Sequence, residues 1–368
     1  MKVKVLLVED SPIALAILKR ILNSADDIEV VGTATTGLEA LALLAQTQPD
    51  VICTDLHMPK MNGLELTKEV LATDPRPILA ISASVGDDDP RNVFELLEAG
   101  ALDVLPKPPA AGVEEYEAIK HTLITKIRVL SGVKVFRKTK PSSSSSPAPS
   151  WAERPVPSAV EGSRSPAPNL PNSLIASKTK LIAIGASTGG PQALKTVLSG
   201  LPPAFPVPIL CVQHITQGFL QGLLEWLGSY CPFTVRIANV GEIPEGGTIY
   251  FPPEGLHLEL NEQGRFAYSS RSRGNHCPSI DVLFESTVRY YRASVLGVLL
   301  TGMGRDGAEG MQAIARAGGH TIAQNEASSV VFGMPKEAIA LGAARQVLDL
   351  EAIAPAILSR VCRSEKGI

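Results

Sequence analysis

Two sets of residues have types and spacings suited to chemistry. In the first, Glu9 and Asp10 follow a short apolar run, 3–8, and Asp55 follows another, 51–54. If both runs are strands of one parallel sheet, three carboxylates meet at one edge and repel unless a cation neutralises them. All-oxygen ligands with open positions suit Mg2+, which is commonly held by one or two carboxylates plus phosphate and water. Ser82 ends a further apolar run, and Lys107 follows another within Leu105-Pro106-Lys107-Pro108. A hydroxyl donor and an ammonium then complete a place for a phosphoryl group on Asp55.

The second set begins with Gly185-Ala186-Ser187-Thr188-Gly189, a G-x-S-x-G turn between an apolar run at 181–184 and a helix-like stretch. Small flanking residues permit the tight turn that exposes Ser187, and the following helix N-terminus offers amide donors to a developing anion. Such a turn also suits a phosphate or nucleotide. No Walker lysine follows it, however, and the G-x-G-x-x-G spacing is absent. A serine nucleophile needs a base, and the base needs an orienting group. His214 follows the apolar run 208–213 and Asp306 follows 295–300, so both would join Ser187 at the carboxyl edge of a parallel sheet. His57, His121, His257, His276 and His320 compete for the base role. Asp281 competes with Asp306, although it opens a helix-like run at 281–291 where an acidic residue serves as a cap.

The elements that must position these groups are legible as alternating periodicities. Apolar runs at 3–8, 30–33, 51–54, 78–82 and 103–105 alternate with amphipathic stretches at 13–23, 38–45, 64–72, 93–99 and 114–130. This predicts an α/β domain over 1–130, a five-stranded parallel sheet wound on both faces. Its ligands are expected at the carboxyl ends of the strands. Residues 131–177, rich in Pro and Ser, read as a flexible linker, since structureless loops beyond roughly 12–15 residues are uncommon inside compact domains. From 178 to 368 the alternation resumes, with shorter Gly- and Pro-punctuated runs at 235–238, 247–250, 257–260 and 266–269. A second doubly wound, mainly parallel sheet with an antiparallel hairpin insertion is expected.

A length of 368 residues with 45% hydrophobic content supports two cores. A net charge of −3 without a long basic run argues against nucleic acid as a partner. Cys53, Cys211, Cys231, Cys277 and Cys362 are odd in number and widely spaced, the pattern of reduced thiols rather than a disulfide framework or metal site. The first apolar run meets Glu9 and Asp10 too early for a signal peptide, and no stretch approaches a membrane span. A cytoplasmic protein without membrane insertion is expected, one still able to act on a membrane-bound substrate.

Glu9-Asp10, the segment 55–63 from Asp55 to Gly63, Ser82-Ala83 and Lys107-Pro108 together resemble the receiver domain of two-component response regulators. The resemblance implies that Asp55 is the phosphoacceptor for a histidine kinase, with Glu9, Asp10 and Asp55 holding Mg2+. Ser82 would sense the phosphate and Lys107 would pair with it. Segments 184–191, 212–214, 250–253, 278–284, 300–308, 321–326 and 333–335 resemble the catalytic domain of the chemotaxis methylesterases. This implies Ser187 as nucleophile, His214 as general base and acid, Asp306 as orienting carboxylate, and the backbone amide of Met303 in an oxyanion hole. No cofactor is implied for that chemistry.

The implied reaction is hydrolysis of glutamate methyl esters on methylated chemoreceptors with release of methanol, extending to deamidation of receptor glutamines. It would be switched on by phosphate from the chemotaxis histidine kinase, the unphosphorylated receiver packing over the esterase site. The chain departs from the family pattern at 215–219, which lacks the usual proline pair, at Cys277, where many relatives carry arginine, and at Val104, often aromatic in receivers. Two rival readings follow: a phosphorylation-switched binding module without hydrolysis, and a hydrolase of another protein ester or amide.

Overall fold

In the computed structural model, which describes residues 2–82, 90–108, 113–137, 179–270 and 276–361, the first five strand–helix repeats fold as β1 (Val3–Val8), α1 (Pro12–Asn23), β2 (Ile28–Ala34), α2 (Gly37–Thr47), β3 (Val51–Asp55), α3 (Gly63–Thr73), β4 (Ile78–Ser82), α4 (Pro90–Ala99), β5 (Asp103–Pro106) and α5 (Val113–Leu130). All strand pairs are parallel, in the order β2-β1-β3-β4-β5. Every residue of β3 and β4 is buried, as near-continuous apolar strands covered by helices on both faces must be. Local signals fix where the helices begin. Ser11 and Thr36 cap α1 and α2, while Asn62 and Glu65 form a reciprocal capping box at α3.

Beyond α5 the chain stays against this unit as far as Arg137, whose guanidinium donates to the Thr73 carbonyl at 2.6 Å. The remainder of the predicted linker, 138–178, lies outside the described residues, as does Cys362. Cys53, Cys211, Cys231 and Cys277 are free thiols.

The second unit comprises β6 (Leu181–Ala186), α6 (Gly190–Ser199), β7 (Ile209–Gln213), α7 (Leu220–Tyr230), β8 (Thr234–Ile237), β9 (Thr248–Phe251), β10 (His257–Leu260), β11 (Phe266–Ser269), α8 (Ile280–Tyr291), β12 (Val295–Leu299), α9 (Ala308–Arg316), β13 (His320–Gln324), α10 (Met334–Ala340), β14 (Gln346–Leu348) and α11 (Leu350–Val361). Seven strands form one sheet in the order β14-β13-β12-β6-β7-β9-β8. Among the described residues the antiparallel insertion is the β10–β11 hairpin. The runs at 235–238 and 247–250, as short and as Gly- and Pro-punctuated as those of the hairpin, extend the main sheet in parallel as β8 and β9. Punctuation by Gly and Pro marks short strands without saying how they pair.

The two units share a hydrophobic cluster that runs from Leu66, Phe94 and Leu97 to Leu194, Leu223 and Trp226. Phe94 of α4 stacks on Trp226 of α7 with ring centroids 5.6 Å apart, and is itself fully buried. Beside this stack Glu98 accepts from Lys195 Nζ at 2.6 Å and from the Tyr230 hydroxyl at 2.7 Å. Truncating Phe94 to alanine is expected to cost about 3–5 kcal/mol, read as a lower urea midpoint. An unchanged midpoint would mean that the stack is not part of the stabilising core.

Candidate active site

Both sheets reverse their strand order once, and such a switch point opens a crevice at the carboxyl edge. In the first sheet it lies between β1 and β3, where Glu9, Asp10 and Asp55 bring carboxylate oxygens within 4.8 Å of one another. Lys107 Nζ donates to Glu9 Oε1 at 2.9 Å and to Asp55 Oδ2 at 2.8 Å. Ser82 is buried at the end of β4, and its carbonyl accepts from the Lys107 amide at 2.8 Å. The expected groups are therefore gathered at one edge.

Burial pushes the Glu9 and Asp55 carboxyls up, and the hydrogen bonds from Lys107 pull them back. Glu9 Oε2 is buried and has no hydrogen-bond partner among the described residues, an acceptor that one lysine leaves unsatisfied and that a cation beside Asp10 would satisfy. A hard divalent ion such as Mg2+ fits this all-oxygen set.

In the second sheet the switch point lies between β6 and β12, with β7 on the other side of β6. Ser187 follows β6, and its amide donates to the Thr301 carbonyl at 3.0 Å. Its own carbonyl accepts from Gly190 at 2.7 Å, and Gly189 makes the turn with φ of 76°. The loop after β12 approaches closely: a Cβ on Gly302 would stand 2.7 Å from that of Ser187. Glycine at 302 is thus a steric requirement of the Ser187 turn. Gln213 Nε2 bridges the carbonyls of Ser187 and His214, each at 2.8 Å.

His214, at the end of β7, pairs through Nε2 with Asp306 Oδ2 at 2.8 Å. A carboxylate only accepts, so Nε2 is the donor, and in the neutral ring Nδ1 is the acceptor. That Nδ1 is buried and has no hydrogen-bond partner among the described residues. Asp306 also accepts from Ser279 Oγ at 2.8 Å, Ile280 N at 2.7 Å, and Asp281 N and Gly307 N, both at 3.1 Å. Burial opposes its charge, but the His214 contact and the amides at the start of α8 outweigh burial and hold the carboxyl well below its usual range.

The rival residues are used elsewhere. Asp281 Oδ1 accepts from Gly310 N of α9 at 2.6 Å. Burial, then the charge of Asp306, pushes its carboxyl up to about 7. Ser279, not Asp281, caps α8. His257 Nδ1 accepts from Ser279 N at 3.0 Å and His320 pairs with Gln346 at 2.9 Å. His276, by contrast, stacks on His214 with ring centroids 4.2 Å apart. Met303 lies between Gly302 and Gly304 in the same loop as Asp306, and its amide donates to no carbonyl among the described residues.

Several residues here were not singled out from sequence. Gln213 sits directly before His214 at a strand end, a position that could have signalled it. Asp103 and Lys126 of the first unit could not be found by pattern. Asp103 Oδ2 accepts from Thr188 Oγ1, next to the serine, at 2.7 Å, and pairs with Lys126.

Because the Asp306 carboxyl is lowered by folding, it contributes stability that is present above its ordinary value of 3.8 and lost as pH falls through the lower folded value. Acid unfolding of wild type should therefore steepen below about pH 4 relative to Asp306→Asn. Parallel pH dependences in the two proteins would show that folding does not shift this group.

Residues 5–114 match the response regulator receiver domain family, and residues 182–357 match the family described as CheB methylesterase. A protein-glutamate methylesterase/protein-glutamine glutaminase of Nitrosospira multiformis is 40% identical over 99% of this chain and 98% of its own length. A second, from Syntrophus aciditrophicus, is 41% identical over 96% of both. The crystal structure of the Thermotoga maritima CheB methylesterase catalytic domain is 36% identical, covers 49% of this chain and 98% of its own, and superposes with a TM-score of 0.48. With identity at this level along essentially the whole length, the chain belongs to the protein-glutamate methylesterase/protein-glutamine glutaminase family, joining a receiver to a methylesterase domain.

Proposed function

We propose that this chain is a phosphorylation-activated serine hydrolase that removes methyl esters from chemoreceptor glutamates in chemotactic adaptation. Residues 1–130 serve as receiver, 131–177 as linker and 178–368 as catalytic domain. The observation that carries the reading is the Asp306-bound His214 at the end of β7, its amide on the Ala186 carbonyl, beside the buried turn that holds Ser187.

In this mechanism Ser187 Oγ attacks the ester carbonyl carbon while His214 Nδ1 takes its proton. The tetrahedral oxyanion is met by the Met303 amide, a contact commonly worth about 2.7–4 kcal/mol. His214 returns the proton to the departing methanol, then deprotonates the water that cleaves the acyl-enzyme and restores glutamate. Deamidation of a receptor glutamine uses the same path with ammonia leaving. None of these steps calls on a cofactor.

On the receiver, Asp55 accepts a phosphoryl group from the chemotaxis histidine kinase. Glu9, Asp10 and Asp55 would hold Mg2+, which supplies positive charge to the transferring group. Lys107 pairs with the phosphate and Ser82 donates to it. Inhibition by the unphosphorylated receiver is supported by the Asp103–Thr188 hydrogen bond and the Lys126 pair beside it, which put receiver side chains against the residue following the nucleophile. Among the described residues no helix is long and apolar enough to cross a membrane, and the protein works from the cytoplasm on the receptors' signalling helices.

Methanol release from methylated receptor membranes tests this reading. Wild type is expected to respond to a small phosphodonor with Mg2+, Ser187→Ala to release nothing, and Asp55→Asn to show the basal rate under both conditions. Release by Ser187→Ala would sink the assignment of the nucleophile; a silent wild type despite phosphorylated Asp55 would reopen the substrate. Asp103→Asn should raise the basal rate roughly tenfold, the factor for about 1.4 kcal/mol lost from a charge-assisted hydrogen bond across the interface. An unchanged basal rate would remove Asp103 from the inhibitory contact.

A further inference from the structure

From the stacking of the two rings we infer that His276 is a positioning residue for the esterase reaction, fixing the plane of the His214 imidazole. The inference rests on the assignment of His214 as base. One hydrogen bond, Nε2 to Asp306 Oδ2 at 2.8 Å, sets the distance of the ring from the carboxylate but leaves it free to turn about the line of that bond. Such turning swings Nδ1 away from the serine. A flat group laid on the ring face removes that freedom.

His276 supplies the flat group, with centroids 4.2 Å apart and planes 14° from parallel. The same short segment holds the edge of the system. Three residues on, Ser279 Oγ and Ile280 N bind Asp306 at 2.8 and 2.7 Å. Ser279 N is anchored on His257 Nδ1 at 3.0 Å, and Cys277 Sγ on the Gly255 carbonyl at 3.1 Å. Residues 276–280 therefore present a ring to the face of the base and a hydroxyl and an amide to its carboxylate, so edge and face are set by one piece of backbone.

The stack also suits the charge that catalysis creates. His276 is exposed on its outer side, but desolvation on the side packed against the site, then the neighbouring His214, holds it below the ordinary histidine value, with Lys126 adding to the effect and Asp306 opposing it. A neutral imidazole can lie face to face with the imidazolium of His214 without like-charge repulsion.

The test uses the full-length chain, with a phosphodonor and Mg2+, reacting with a fluorophosphonate. In that reaction Ser187 Oγ forms the O–P bond, the P–F bond breaks, fluoride leaves, and His214 takes the proton. For His276→Ala the maximal inactivation rate is expected to fall about 10- to 100-fold, the penalty for a displaced catalytic group, with the reagent's half-saturating concentration unchanged. His276→Phe, which keeps a flat ring and no titrating nitrogen, should recover most of the loss. His276→Ala reacting like wild type would overturn the inference, and so would His276→Phe as slow as His276→Ala, which would assign the role to a ring nitrogen instead. His214→Ala distinguishes the two levels. If that variant reacts at the wild-type rate, the assignment of the base itself is wrong; if it is inert while His276→Ala is normal, only the positioning role falls.

Discussion

A buried carboxylate must be charged to orient a histidine, and burial works against that charge. Asp306 meets this conflict with the first turn of α8, whose Ile280 and Asp281 amides and Ser279 hydroxyl all donate to it. Unpaired amides at a helix N-terminus carry partial positive charge, so the anion and the helix end answer each other's deficits. Much of the second unit follows from this contact. The approach of α8 to the sheet requires glycine at 185, where a Cβ would meet Ile280 at 2.3 Å, and at 307, where it would meet Leu299 and Ile280 at 2.6 and 2.7 Å. Asp281, drawn in beside Asp306, must find its own donor on α9, and does so at Gly310.

The receiver solves a similar problem without a helix end. Its carboxylates cluster at a switch point between parallel strands, and Lys107 reaches two of them from the far side of β4. One ammonium cannot neutralise three anions. The negative charge that remains is what suits the site to a divalent ion. In both units the topology of the sheet delivers the reactive groups to one edge, and local donors decide which of them stay charged.

How much was legible in the sequence depended on whether a residue's role is set by its own strand or by a neighbour's. Glu9, Asp55, Ser187, His214 and Asp306 each terminate an apolar run or follow one, so periodicity alone put them at sheet edges. Its place at the end of a buried strand directly after the serine's unit favoured His214 over His276 only modestly, and the structure stacks the two rings, with the hydrogen bond to Asp306 on His214. The runs that form β8 and β9 are short and punctuated by Gly and Pro, which left open whether they join the sheet or the hairpin; they pair in parallel with the sheet. Pairing direction is set by the connection through space, which short strands do not encode. Asp103 and Lys126 carry no motif at all; their significance exists only once two separately folded surfaces meet.

The four-residue strand β5 joins the two ends of the contact system. Asp103 opens the strand and touches Thr188, and Lys107 follows its last residue and touches Asp55. At about 3.3 Å per residue the strand spans only some 13 Å, and its side chains alternate between faces. Inserting or deleting a single residue there would turn one end to the opposite face while leaving the other in place. The length and parity of β5 are therefore constrained by both units together, and an indel in this strand should be tolerated by neither, however well each unit folds when made alone.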